Sequence, residues 1–247
     1  MLSGLHTMTK SQSLLSRPTS PLASGAVSDT LEKIGSAIAS GRYPVGSTLP
    51  MENELVEEYG VSRTVVREAV KVLTVKGMLK TARRYGTVVT PIADWNLLDS
   101  GVLSWHDPDS PNIQTVYSEL AEILSVILPQ AAFKAAAKGG GLDRDLAKTA
   151  ICALTVVDQY VRAQAEYTLW ATIIDGVGNG SFAHFKGMMF ELSRLTYELE
   201  SARSIEHPNQ DAHYKALIAA IGNADAADTD LQSRLIFKRA TDLASNL

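Results

Sequence analysis

The run from Pro50 to Gly86 constrains this chain more than any other. It reads Pro50-Met51-Glu52-Asn53-Glu54-Leu55, then Tyr59-Gly60-Val61-Ser62, then Arg63 to Leu73, two short helix-forming stretches separated by Gly60-Val61-Ser62. Glycine has no Cβ to clash at positive φ, so Gly60 suits a tight turn. Ser62 suits the N-cap of the helix that follows. Two short helices around such a turn form the helix-turn-helix pattern. In the second helix Val66, Ala69, Val70 and Leu73 recur at i, i+3, i+4 and i+7 and make one apolar stripe. Arg63, Arg67, Lys71 and Thr74 fall on the opposite side, with Thr64 near its N-terminal end. That face suits the DNA major groove: arginine grips a guanine edge with two hydrogen bonds, and either cation neutralises phosphate. A solvated amphipathic helix has the same periodicity, so the flanking sequence has to decide.

Gly77 stops the helix. Two β-type runs follow, Met78 to Ala82 and Thr87 to Thr90, around the basic turn Arg83-Arg84-Tyr85-Gly86. They predict a hairpin. Such a wing would place Arg83 and Arg84 at phosphate or the minor groove, and Gly86 would let the backbone approach DNA closely. Upstream, Ser28 to Ser40 predicts a helix with Leu31, Ile34 and Ile38 on one face and Ser28 as its cap, covering the helix-turn-helix.

Gly41-Arg42-Tyr43-Pro44-Val45-Gly46-Ser47-Thr48-Leu49-Pro50, then Gly60-Val61-Ser62-Arg63, Val66-Arg67-Glu68-Ala69, Leu73, Gly77 and Gly86 together resemble the GntR winged-helix signature. The resemblance implies that Arg63, Arg67 and Gly86 contact DNA. It also exposes a departure. A further DNA-contacting arginine of the family is Asn53 here, and the contact at this position is expected to be weaker.

At 247 residues the chain has room for two domains, and 45% hydrophobic content supplies their cores. No stretch approaches the ~20 apolar residues of a membrane span, so no membrane partner is expected. Residues 1–27, rich in Ser, Thr, Pro and Gly without an apolar block, are expected to be a disordered tail and not a secretory signal. The single Cys152 excludes an internal disulfide and a thiolate metal cluster. Its apolar neighbours Ile151, Ala153 and Leu154 predict a buried, inert thiol, and a reduced cytoplasm is the expected setting. Residues 1–91 carry 11 Lys+Arg against 7 Asp+Glu; the remainder carries 12 against 20. A basic front on an acidic body fits a nucleic-acid reader joined to a part that should not bind nucleic acid.

The fold expected is mainly α: the tail (1–27), a winged helix-turn-helix with a small β-hairpin wing (28–91), a linker (92–110) and an all-α antiparallel helical bundle (111–247). In the linker Leu98, Val102 and Trp105 lie at helical spacing, and docking between domains is the plain account of Trp95 and Trp105. After Pro111 the apolar periodicity marks a long helix bent at Pro129 and ended by Gly139-Gly140-Gly141. Further helices are expected at 142–157, 159–174, 182–203, 213–221 and 226–244.

The linker pattern Trp-Asn-x-Leu-Asp-x-x-Val-Leu-x-Trp also resembles the galactonate-operon repressor subgroup of FadR-type GntR regulators, and the bundle resembles their FCD-type effector domain. That resemblance implies a divalent metal held by one Asp and three His, with a carboxylate effector on it. Matched through Asn179 and Ile173, the ligand Asp falls on Glu166 and the first His on Trp170. The second His falls on Tyr214, beside His213, the last on Ile236, and an effector-binding Arg on Ala121. One Glu and one Tyr make a poor site for any divalent ion, so no metal cofactor is expected. A one-residue slip would restore His213 and still leave too few donors. Trp170 and Tyr214 would fill the vacated space and could stack on a small molecule. Glu166, Arg194, Arg203 and His213 are the polar candidates around that effector pocket, with ordinary helix-surface polarity the plainer account of each taken singly. His106, His184 and His207 lie off the pattern and are expected to be surface or hydrogen-bonded structural histidines.

The function expected is a DNA-binding repressor of a sugar-acid or other carbohydrate catabolic operon. Two chains would pair through the bundle and read a near-palindromic operator, with a small-molecule effector relieving binding. Two alternatives stand beside it. The winged helix could serve protein contacts on a metal-independent ligand-binding or dimerisation module, or the repressor could have lost its effector response. An enzyme has least support: no nucleophile–base motif, phosphate loop or paired carboxylates at useful spacing is present.

Overall fold

The computed structural model describes residues 25–82, 86–138, 144–155, 158–205 and 210–247. The N-terminal head consists of α1 (Ala26–Ala39), α2 (Glu52–Tyr59) and α3 (Arg63–Val75), followed by β1 (Leu79–Ala82) and β2 (Gly86–Val89). α1 begins two residues before the expected Ser28, which lies inside the helix, so residues 26 and 27 are helical and not part of a tail. Gly60 ends α2 at φ 66°, in the left-handed region that favours glycine, and the Ser62 side chain accepts a hydrogen bond from Val65 N at 3.3 Å. Those two residues set the turn between the helices.

The hairpin pairs Leu79 with Val89 and Ala82 with Gly86, antiparallel. The segment before α2 adds a third partner to it. Thr48 bridges Val88, and Leu49 N donates to the Thr87 carbonyl at 2.8 Å. Leu31, Ile34, Ile38, Leu49, Ala69, Leu73, Leu79 and Val89 close the head core from α1, α3 and the hairpin. The turn residues Arg83 and Arg84 lie outside the described residues.

The linker holds α4 (Ser100–Ser104) after a short 3-10 turn at Ile92–Asp94. It is clamped to the head. The Trp95 indole N–H donates to the Thr90 carbonyl at 3.1 Å, and that of Trp105 donates to Glu32 Oε2 at 2.7 Å. Trp105 lies flat on α1 at Gly35, where a Cβ would come within 2.5 Å of the indole, so only glycine admits the ring. Lys76, 2% exposed, pairs with Asp99 and sits 5.9 Å from the Trp105 ring centre. Trp95, Val102 and Trp105 therefore belong to the head core, whereas Leu103, facing the other way, enters the core of the bundle.

Among the described residues the bundle has six α-helices: α5 (Ile113–Ala137), α6 (Arg144–Ala153), α7 (Gln159–Val177), α8 (Phe185–Ala202), α9 (Asp211–Gly222) and α10 (Ala226–Ser245). α5 is central and packs against α10, α7, α8 and α9. It runs as one helix through the buried Pro129. Its length and hydropathy would suffice to cross a membrane, contrary to the expectation that no stretch comes close; half of that apolar window is buried inside the bundle. The expectation of a buried thiol also fails. Ile151 and Leu154 face the core, and Cys152, a rotation of about 100° away along α6, is exposed.

Candidate nucleic-acid interface

α3 turns Val66, Ala69 and Leu73 into the head core, each fully buried. The helical period then sends Arg63, Thr64, Arg67 and Lys71 to solvent. Asn53 is exposed on α2 and Gly86 at the start of β2. Gly86 takes φ +82°, and a Cβ there would come within 3.2 Å of Thr48 Cγ2, so the wing and the segment before α2 meet closely at this point.

Between α2, α3 and the wing lies a concavity of about 790 Å³, lined in part by Thr48, Glu52, Arg67, Lys71, Thr81 and Gly86. Two of its cations have carboxylate neighbours. Arg67 Nε donates to both Glu52 oxygens at 3.0 Å, and Lys71 Nζ donates to Glu68 at 2.7 Å. Glu52 had no part in the sequence expectation. Its partner lies fifteen positions away across the helix crossing, and no local periodicity links them. The resulting surface is a basic helix face beside a concavity that it shares with α2 and the hairpin strands, able to enter a groove and hold backbone on its rim.

The six effector-pocket candidates divide. Glu166, Trp170 and Tyr214 come together in the bundle interior. The Tyr214 hydroxyl donates to Glu166 Oε1 at 2.5 Å and accepts from the Trp170 indole N–H at 3.2 Å. Trp170 packs on Phe237 with ring centres 5.1 Å apart. Burial, reinforced by the Glu166 carboxylate, raises the Tyr214 hydroxyl well above its ordinary value and keeps it a neutral donor. The space beside this trio, bounded by Glu166, Ser193, Phe237 and Arg239, is about 10 Å³, the room of one water molecule.

The other three lie elsewhere. Arg194 is buried between Glu191 at 2.7 Å and Glu198 at 2.6 Å, and its Nη2 donates to the carbonyls of His106 at 2.9 Å and Leu103 at 3.4 Å. It pins the linker to α8 and does not border the trio. Arg203 is exposed, 3.5 Å from the Asn246 carbonyl, and His213 is half-buried against Gln232 at 3.2 Å. Of the remaining histidines, His184 is exposed and His106 is buried with Nδ1 on the Val102 carbonyl at 3.0 Å; His207 lies outside the described residues. Ala121 and Ile236 are buried, and Asn179 accepts from Ser181 N as the cap of a short turn.

The metal site that the resemblance implies keeps one fitting donor of four. Its four positions hold one carboxylate, an indole, a phenol already engaged in two hydrogen bonds, and an alkyl side chain. A buried cluster that the sequence did not announce stands close by. Arg239 pairs through two nitrogens with Glu200, and the guanidinium groups of Arg239 and Arg162 lie 4.3 and 4.7 Å from the centre of the Tyr197 ring.

Residues 27–89 match the bacterial regulatory proteins, gntR family. The chain is 44% identical over 108 residues to the uncharacterized HTH-type transcriptional regulator YieP of Escherichia coli K12, a match covering 44% of this chain and 46% of that relative. It is 28% identical over 200 residues to the galactonate operon transcriptional repressor of the same organism, covering 78% of this chain and 85% of the repressor. The chain thus spans under half of the first relative and most of the second. In three dimensions it is similar to the structure of Lar, described as controlling expression of the Listeria monocytogenes agr system. The TM-score is 0.62 at 16% identity, over 91% of this chain and 99% of the other, a likeness of fold. These relatives are regulators, not enzymes.

Proposed function

We propose, for a chain whose residues 27–89 belong to the gntR family of bacterial regulators, that the whole protein is a sequence-specific DNA-binding transcriptional regulator of the cytoplasm. The observation that carries this reading is the exposed row Arg63, Arg67 and Lys71 on α3, standing beside the wing concavity. Arg63 and Arg67 read bases, with Thr64 and Asn53 beside them. Lys71, Arg83 and Arg84 hold backbone, and Gly86 seats the wing. Two chains pair through the helical bundle and present two heads to a near-palindromic operator. Likeness to the galactonate operon repressor supports repression of a sugar-acid operon.

The experiment is binding of purified protein to duplex DNA across a salt series, with selection from a randomised library. A steep fall of affinity with salt and an enriched motif with two half-sites are expected. A flat salt response with no motif would favour a winged helix used for protein contacts.

Within this reading the effector domain works without a metal. The supporting observation is the closed Glu166–Tyr214–Trp170 trio, whose donors are spent on one another and whose neighbouring space holds one water. The regulator either responds to an uncharged ligand bound elsewhere on the bundle or represses without one.

A further inference from the structure

α2 carries four glutamates on an element that would lie against a polyanion. Three of them have evident partners. Glu54 closes the N-terminal cap of the helix, accepting from Met51 N at 2.7 Å. Glu58 takes Arg42 and the Tyr43 hydroxyl. Glu52, the first residue of the helix, takes no part in the cap and reaches across to Arg67 on α3. The pair lines the concavity, and its side chains are 46% and 61% exposed, so burial does not force the contact.

The mode of contact is specific. A guanidinium has five N–H donors in one plane. Here only Nε–H is engaged, by both carboxylate oxygens at 3.0 Å. Among the described residues the two terminal amino groups have no hydrogen-bond partner, and they form the fork that grips a guanine edge. On charge alone a carboxylate at this face opposes DNA. Its value lies in geometry: it holds a long, rotamer-rich side chain in one plane before DNA arrives.

We propose that Glu52 is a positioning residue for base recognition, fixing the guanidinium plane of Arg67 through Nε and aiming the free fork at a base edge. It raises sequence discrimination and lowers affinity for DNA as such. This inference rests on the DNA-binding reading above.

The test takes the full-length protein through selection from a double-stranded library with a randomised core. Affinities for selected and scrambled duplexes then follow for wild type, Glu52→Ala, Arg67→Ala and the double variant. Wild type enriches a motif. Glu52→Ala flattens the preference at the positions that Arg67→Ala flattens, and lowers discrimination roughly three- to tenfold, as expected for releasing one ordered side chain. It binds scrambled duplex at least as tightly as wild type, because a repelling charge is gone. In sequence discrimination the double variant matches Arg67→Ala, since Glu52 acts on base preference only through that arginine. Glu52→Gln, which keeps an acceptor without the charge, recovers part of the preference. Unchanged discrimination in Glu52→Ala, or losses that add in the double variant, would overturn the inference and leave the DNA-binding reading intact. A wild type that enriches no motif overturns both. The substituted side chains are exposed, and melting curves establish that each variant is folded.

Discussion

Arg63, Arg67 and Lys71 share one face of α3 but have different surroundings, and their contributions should differ in kind. Arg63 is the first residue of the helix and has no ion pair among the described residues; Lys71 is held only by its neighbour Glu68 at 2.7 Å. An arginine at the N-terminal end of a recognition helix reaches base edges, whereas a lysine two turns later meets backbone. Replacing Arg63 by Ala should therefore cost about 1–3 kcal/mol on the selected duplex and relax the base preference at one position. Lys71→Ala should weaken selected and scrambled duplexes alike and reduce the slope of log affinity against log salt by about 1. Fluorescence anisotropy titrations at several salt concentrations separate the two outcomes. If Arg63→Ala binds as wild type does, Arg63 does not read bases.

At the scale of elements, docking at the linker is expected of Trp95 and Trp105, but the part that Arg194 plays in the joint between head and bundle is not. Arg194 reaches from α8 to the carbonyls of Leu103 and His106, while Lys76 and Trp105 hold the other side of α4 against the head. Nothing in the spacing of Arg194 distinguishes it from a surface arginine, because Glu191 and Glu198 stand at ordinary helical ion-pair spacing and its other partners are carbonyls some ninety residues away. The same joint buries His106. Burial, chiefly, holds its ring below the ordinary value of 6.5, against the opposing pull of the Val102 carbonyl. The unfolded chain thus takes up a proton at a higher pH than the folded one. The stability tied to a neutral His106 is complete above pH 6.5 and is lost as pH falls through the lower folded value. Melting temperature should decline below that pH more steeply in wild type than in His106→Asn, which keeps a donor for the Val102 carbonyl. Parallel curves would show that His106 does not titrate on unfolding.

Over the whole molecule the question is whether the bundle senses anything. Its interior is filled by large side chains: Trp170, Tyr117 and Tyr214 are fully buried, and the void beside the trio admits one water. Purified protein should therefore carry no stoichiometric divalent metal. Zinc, nickel and sugar acids should leave its melting temperature unchanged, because a ligand that binds only the folded state must raise it. One metal per chain together with acid-dependent stabilisation would instead mean that the bundle opens a site around Glu166 that the closed arrangement conceals. Because Arg194 ties α8 to the linker and Trp105 ties the linker to α1, a ligand moving α8 would pull on the DNA-reading head.

What the sequence determined by itself was local. Gly60 and Ser62 specify a turn between two helices, and the 3.6-residue period of α3 sorts Val66, Ala69 and Leu73 from Arg63, Arg67 and Lys71. Helix periodicity over residues 113–245 is enough to announce an α-bundle. These follow from backbone preferences and the side-chain period, which act within a few residues. Tertiary structure alone decided which distant groups meet. It closed Trp170, Tyr214 and Glu166 into one hydrogen-bonded trio, sent Arg194 to the linker and away from it, turned Cys152 outward, and set Glu52 against Arg67. Those outcomes depend on how helices cross and which faces bury, and the energy of each contact belongs to a pair of residues that no local pattern relates.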